Sequence, residues 1–365
     1  MCLQPVEHKE SPFFRQLTAS ESLGSTSIAK SDQRFGAVLG QPIAWGWPQP
    51  SLGLKENWSL EDVFTIVYTV VDDAYQKLFR TPAYFRRRPN ATPVFSDSEV
   101  ITLALVAELS GYDSRLSWWD YVHKNYRHLF PRLCDRTRYG RRLARLRVAI
   151  EQMRRHLLFL LNADLSQLRV VDSFPLSVCH LRRVAGSTCP FEYSASFGYC
   201  AAKKESFYGF RVHVVTDATG VVVGYVLSGG HVHDTKGLAF LLEDLSRLEQ
   251  VMERIITLLG DKGYVGAELA RRIKAEFGVD LLAMQRNYEP ELGSSAYNEL
   301  VGSARKIIET TISVLTRSFN ANWTYARSVT GLVTNLVIKM TAFTLGNYLN
   351  KLLGEPVLQV TSIVN

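Results

Sequence analysis

The sequence predicts an α/β protein: a mixed five-stranded sheet flanked by helices and preceded by an all-helical segment. Three observations carry this prediction. Between Trp58 and about Leu161 apolar residues recur at helical spacing. After Asn162-Ala163-Asp164 the period shortens to the alternation of strands, first as a hairpin and then as strand–helix repeats. The chain has 365 residues, 46% apolar and 21% charged, which is enough for more than one domain and a sizeable core.

Residues 1–55 are rich in Ser, Gly, Pro and Gln without a sustained period, and read as a flexible leader. The helical part, 56–163, opens with Ser59 and Asp62 ahead of Val63, Ile66, Val67, Val70 and Val71. Ser96-Asp97-Ser98-Glu99 is a capping box for a helix through Leu109, stopped by Gly111. A third helix is expected after Ser117, ended by Phe130-Pro131. From Arg136 to Leu161, Leu143, Leu146, Ile150, Met153 and Leu157 make one apolar stripe. Arg138, Arg141, Arg142 and Arg145 cluster about a third of a turn away. They have no interleaved acid, so they repel one another and gain no pairing one turn on. That favours a helix that contacts phosphates over a plain solvated face.

The strand-bearing part, 164–325, begins with Leu168–Asp172, followed by a Ser-Phe-Pro turn. Phe207–Asp217 and Val221–Gly229 are joined by the tight Ala218-Thr219-Gly220 turn and form an antiparallel hairpin. Then come a helix (236–248), a strand (254–261), a helix (265–277), a strand (279–284), a loop and a helix (298–319). Residues 326–365 are mostly helical packing sequence. A right-handed crossover between the third and fourth strands makes the first and fourth parallel neighbours. Asp172 and Asp261 then close adjacent strands at the edge where open α/β sheets hold ligands. Neighbouring strands are about 4.8 Å apart, so two such carboxylates can flank ions about 3.5–4 Å apart. Glu309 falls at the border of its helix's core stripe and can reach over the same edge. Oxygen-only ligands suit a hard ion such as Mg²⁺. Each acid also has a plain alternative: turn-formers for Asp172 and Asp261, and a surface pair with Arg305 for Glu309.

Net charge is +7, concentrated in 84–88, 132–155 and 182–204, which points to a polyanionic partner. The segment 173–206 is long for a compact-domain loop, and Arg182, Arg183, Lys203 and Lys204 in it are candidate backbone grips. Lys262 and Tyr264, just past Asp261, are candidates to line a channel. His231-Val232-His233-Asp234 hints at zinc ligands. The preferred reading is a strand end, with Asp234 capping the next helix and His233 or Asp234 supporting the site edge. The five cysteines are odd in number and unpaired in spacing, which fits a reducing compartment. The amino end has no apolar core of signal-peptide type, and the apolar run near 329–353 is interrupted by polar residues. A cytosolic protein is expected, without a membrane span.

The order of elements, with Asp after strand one, Asp after strand four and Glu on the following helix, resembles the RNase H-like core of DDE transposases. In detail it is similar to bacterial insertion-sequence family 982, through VVDSFPLSVCHLRR, FGYCAAKKESFYGFRVHVVTDATG, GGHVHDTKG, LLGDKGY and RKIIETTISVL. The resemblance covers about Trp58 to Leu353. It implies Asp172, Asp261 and Glu309 as a metal-binding catalytic triad, two Mg²⁺ ions (Mn²⁺ as substitute), and double-stranded insertion-sequence DNA as substrate. Cutting two ends in concert implies a homodimer on that DNA. Arg305 would orient Glu309 or hold a phosphate. The Tyr-Arg-Glu-Lys pattern of some such enzymes is only half kept, because Gly302 and Thr316 stand at its outer positions; Arg317 is a candidate replacement. A structure-selective nuclease and an inactive DNA-binding derivative are the alternatives.

Overall fold

The change of hydrophobic period near residue 162 separates a helical layer from a sheet. The computed structural model describes residues 58–79, 94–184, 191, 194–201, 204–247, 255–283 and 295–360, without the side chains of 262 and 295–301. The expected leader, 1–55, lies outside the described residues, as does Lys203. The described residues fall within one compact unit, Leu54–Asn365.

Among the described residues four helices come first: α1 (Leu60–Leu78), α2 (Asp97–Leu109), α3 (Arg115–Asn125) and α4 (Arg136–Leu161). Ser59 with Asp62, and Ser96 with Glu99, form capping boxes at the starts of α1 and α2. The third helix differs from expectation. It is capped by Ser114, three residues before Ser117, and ends at Asn125 rather than at Phe130-Pro131. All five residues of the α4 stripe are buried. The last helix, α8 (Val329–Leu352), returns to pack on α4 and α2. By length and composition α8 is apolar enough to cross a membrane, but most of it is buried within the protein. Its Lys339 donates to Glu108 of α2 at 2.8 Å.

The sheet strands are β1 (Leu168–Cys179), β2 (Ser196–Cys200), β3 (Glu205–Asp217), β4 (Val222–Gly229), β5 (Thr257–Gly260) and β6 (Asp280–Ala283). Their order is β2-β3-β1-β5-β6, with β4 on the β3 edge beside β2. β1, β5 and β6 run parallel, and the β3 pairings are antiparallel. Helices α5 (Asp234–Ser246), α6 (Ala267–Phe277) and α7 (Ser295–Arg317) complete the layers. α5 packs on β3 and β4, and α7 on β1 and β5. Leu238, Leu241 and Leu242 of α5 share a core with Val171, Val215, Leu258 and Ile273.

Two expectations are corrected. Among the described residues the sheet has six strands, not five, because part of the expected 173–206 loop is strand β2, paired with the start of β3. And β1 does not stop at Asp172: it runs through Ser-Phe-Pro to Cys179, paired with β3 throughout. The reason lies at its other edge. The pairing with β5 ends at Val171–Gly260. Beyond it, the Ser173 N–H donates to its neighbour's carboxylate, Asp172 Oδ1, and the Ser177 N–H donates to the Asn322 carbonyl. Pro175 sits between these two on the same edge, where no ladder donor is needed, so the strand tolerates it.

Candidate active site

The register fixes the first two acids. Val171 pairs with Gly260 in parallel, so Asp172 and Asp261 are the next residues on adjacent chains, with backbones about 4.8 Å apart. Successive side chains of a strand alternate in face. Asp172 shares the α7 side with Val170, and Ser173 the α5 side with Val171. Ala304 and Ile308 of α7 seat that helix against Val170 and Leu259, which brings Arg305 and Glu309 to the same cleft as Asp172, Gly260 and Asp261. The enclosed space is about 30 Å³, enough for a water-sized guest.

Within this cleft Glu309 is already engaged: Arg305 Nε donates to its Oε1 at 2.6 Å, one helical turn away. The surface-pair alternative for Glu309 is therefore present, on a side chain that is 54% exposed. Among the described residues no three His, Cys, Asp or Glu side chains are gathered tightly enough to hold one ion. The three acids share a cleft without closing around a common centre.

Burial pushes the Asp172 carboxyl up to about 7; the Ser173 N–H works against this, while the charges of Asp261, Asp234 and Glu309 add to it. A buried carboxylate crowded by like charges is relieved by a cation. The donors are all oxygen, and the cleft admits a guest of ionic size. In chemistry these donors fit a hard divalent ion; as placed, they line the cleft without surrounding one.

Residues 164–345 match the family model for the transposase DDE domain. This part of the chain is a transposase DDE domain. No curated protein matches the chain.

Behind Asp172, on the α5 side of the DDE domain's sheet, lies a polar cluster that sequence reasoning largely missed. Ser173 Oγ donates to Asp234 Oδ1 at 2.6 Å. Arg211 Nη1 donates to Ser173 Oγ at 3.2 Å and to Asp234 Oδ1 at 3.4 Å, and its Nη2 donates to the Tyr199 carbonyl at 2.8 Å. His213 is fully buried, shares a hydrogen bond with Ser228 Oγ at 2.9 Å, and is held down to about 4 by burial, so its ring is neutral. Gly237 of α5 lies on that ring, where a Cβ would come within 2.0 Å of His213 Cε1. The signal in the sequence was FRVHV: two polar residues at alternate positions of an otherwise apolar, buried strand.

The remaining candidates separate by exposure and partner. Tyr264 does not line a channel; it is buried in the α5 core, because its ring packs on Gly260. Lys262 lies in the short 3₁₀ turn Lys262–Tyr264, and its side chain is outside the described residues. His233, not Asp234, caps α5, which frees Asp234 to turn towards Ser173. His231 is bonded to Ser196 Oγ at 2.7 Å, so the His-Val-His-Asp run does not converge as a zinc centre. Arg142 turns inward, donating to Asp97 at 2.6 Å and to the Phe95 carbonyl at 2.5 Å; the fold uses it. Arg138, Arg141, Arg145, Arg182, Arg183 and Lys204 are exposed.

Proposed function

We propose that this chain is a DNA transposase of the kind found in insertion-sequence family 982, cutting and joining DNA at the element's ends with Asp172, Asp261 and Glu309 as its metal-holding carboxylates. One observation carries the reading: acids far apart in the chain line a single cleft inside a region that matches the transposase DDE domain.

Bound there, two Mg²⁺ ions (or Mn²⁺) would supply activation of the attacking oxygen and stabilisation of the leaving one. The protein's own contribution is placement. Asp172 and Asp261 are set by the parallel register of β1 and β5, and Glu309 by the packing of α7. Glu309 would turn one oxygen to the ion, and Arg305 would orient it through the other or hold a phosphate at the cleft mouth. Water attacks phosphorus in line, the bond to the 3′ oxygen breaks, and a 3′-hydroxyl is released. That hydroxyl then attacks a target phosphodiester. No protein nucleophile is needed.

The exposed Arg138, Arg141 and Arg145 of α4 suit the element's ends. Arg182, Arg183 and Lys204 suit the backbone near the cleft, and Arg317 is exposed at the end of α7. We read 56–163 as the end-recognition part, 164–325 as the catalytic part and 326–365 as the helical segment that covers the former, in a protein that works in the cytoplasm as a dimer on DNA.

The test uses purified protein, Mg²⁺, and DNA carrying the inverted repeats that flank the gene, with a plasmid as target. Nicking and joining are expected, both lost in Asp172→Asn, Asp261→Asn and Glu309→Gln while DNA binding persists. Wild-type nicking by Asp172→Asn overturns the assignment. Cutting without joining turns the reading into a structure-selective nuclease.

A further inference from the structure

We propose that Arg211 and Asp234 act through Ser173 as a clamp that positions the Asp172 carboxylate. The inference rests on the reading of Asp172 as part of the cleavage site, and adds to it positioning residues on the opposite face of the sheet.

Because β5 ends at Gly260, β1 from Asp172 to Leu176 is paired with β3 alone. At this point the strand carries an acid repelled by Asp261 and Glu309. The Ser173 N–H, lacking a neighbouring strand, donates to Asp172 Oδ1 at 2.7 Å and orients the carboxylate. Where that N–H points depends on how the Ser173 backbone is held, and its side chain provides the hold. Ser173 Oγ donates to Asp234 and accepts from Arg211, so a charged acceptor and a charged donor grip one hydroxyl. Such bonds are roughly twice as strong as neutral ones.

The grip is anchored on three elements. Asp234 starts α5, Arg211 belongs to β3, and Arg211 also reaches the Tyr199 carbonyl of β2. His213 stands behind Asp234, its Nδ1 at 3.9 Å from Asp234 Oδ1, wedged by Gly237. Hydroxyl, carboxylate and guanidinium each limit the movement of the other two. The arrangement links the α5 face to the α7 face through one residue's backbone.

A merely structural cluster would affect stability alone, so the experiment reads more than stability. Ser173→Ala, Ser173→Thr, Asp234→Asn and the Ser173→Ala/Asp234→Asn pair are compared with wild type. The measurements are single-turnover nicking against Mg²⁺ concentration, Mn²⁺ binding by electron paramagnetic resonance, DNA affinity and thermal midpoint. Ser173→Ala and Asp234→Asn are each expected to lose about 10–100-fold in rate or in Mn²⁺ affinity, with DNA affinity unchanged. Ser173→Thr, which keeps the hydroxyl, should recover most of the loss. The pair should be little worse than Ser173→Ala alone, since both act through one link. Wild-type rate and Mn²⁺ affinity in Ser173→Ala, or independent multiplying losses in the pair, would overturn the clamp while leaving the cleavage reading intact. A wild-type protein that neither nicks nor binds Mn²⁺ would overturn both.

Discussion

Asp172 carries an unfavourable charge in the metal-free protein. Its carboxyl is raised from 3.8 to about 7, chiefly by burial. Between those values the folded state holds more protons than the unfolded state, so stability falls as pH rises through this window and the full cost is present above it. Asp172→Asn is therefore expected to stabilise the metal-free protein at pH 8 by on the order of a few kcal/mol, read as a higher thermal midpoint. The difference should close as the pH approaches 4. Calorimetry in chelator across this range checks it; a lower midpoint for the variant at pH 8 would contradict the account. Some single-residue assignments were legible because their physics is local. Ser59 with Asp62 and Ser96 with Glu99 cap helices three residues away, as their spacing indicates. Arg142 was not legible as a structural residue. Its partner Asp97 belongs to another helix, and nothing in RTRYGRRLAR distinguishes the inward arginine from Arg138, Arg141 and Arg145.

Elements are governed by their edges. β4 lies at an edge of the sheet, and α4 covers part of it: Arg154 donates to the Val222 and Val223 carbonyls at 3.0 and 3.3 Å. The same guanidinium is paired with Glu151 at 2.7 Å, and Glu151 accepts from the Tyr225 hydroxyl at 2.8 Å. Arg154→Ala would leave the partly buried Glu151 without its main counter-charge and remove the arginine donor from two strand carbonyls. We expect about 3–5 kcal/mol of destabilisation, read as a lower urea midpoint; a loss below about 1 kcal/mol would mean that water replaces the arginine. The parallel pairing of β1 with β5 was predictable from the crossover rule, and with it the adjacency of Asp172 and Asp261. The overrun of β1 was not. Ser-Phe-Pro has the composition of a turn, and only the early end of β5 shows that Pro175 faces a free edge. β2 was hidden for a related reason. SFGYC is short and contains Gly198, which is there because a Cβ would come within 2.3 Å of the Gly230 carbonyl. Close approach between chains sets that residue, and local propensity does not reveal it.

At the scale of the molecule, Arg138, Arg141 and Arg145 lie exposed on α4 of the helical layer, while Asp172, Asp261 and Glu309 line a cleft at the sheet edge. If α4 meets phosphates, each exposed arginine contributes about one unit to the slope of log affinity against log salt. Replacing Arg138, Arg141 and Arg145 together by alanine should reduce that slope by about three. Arg142→Ala should leave the slope unchanged and lower the thermal midpoint, because it removes the arginine that is paired with the buried Asp97. Fluorescence anisotropy at several salt concentrations separates the two cases. An unchanged slope in the triple variant would remove α4 from the interface.

The return of α8 onto α4 and α2 has a consequence for how the protein is made. Among the described residues, helices of the first part of the chain are completed by the last one, with the six described strands synthesised in between. At about 5–20 residues per second that delay is on the order of tens of seconds. A product cut short before residue 329 would carry α4 without the helix that packs on it, and should be degraded faster than the full chain.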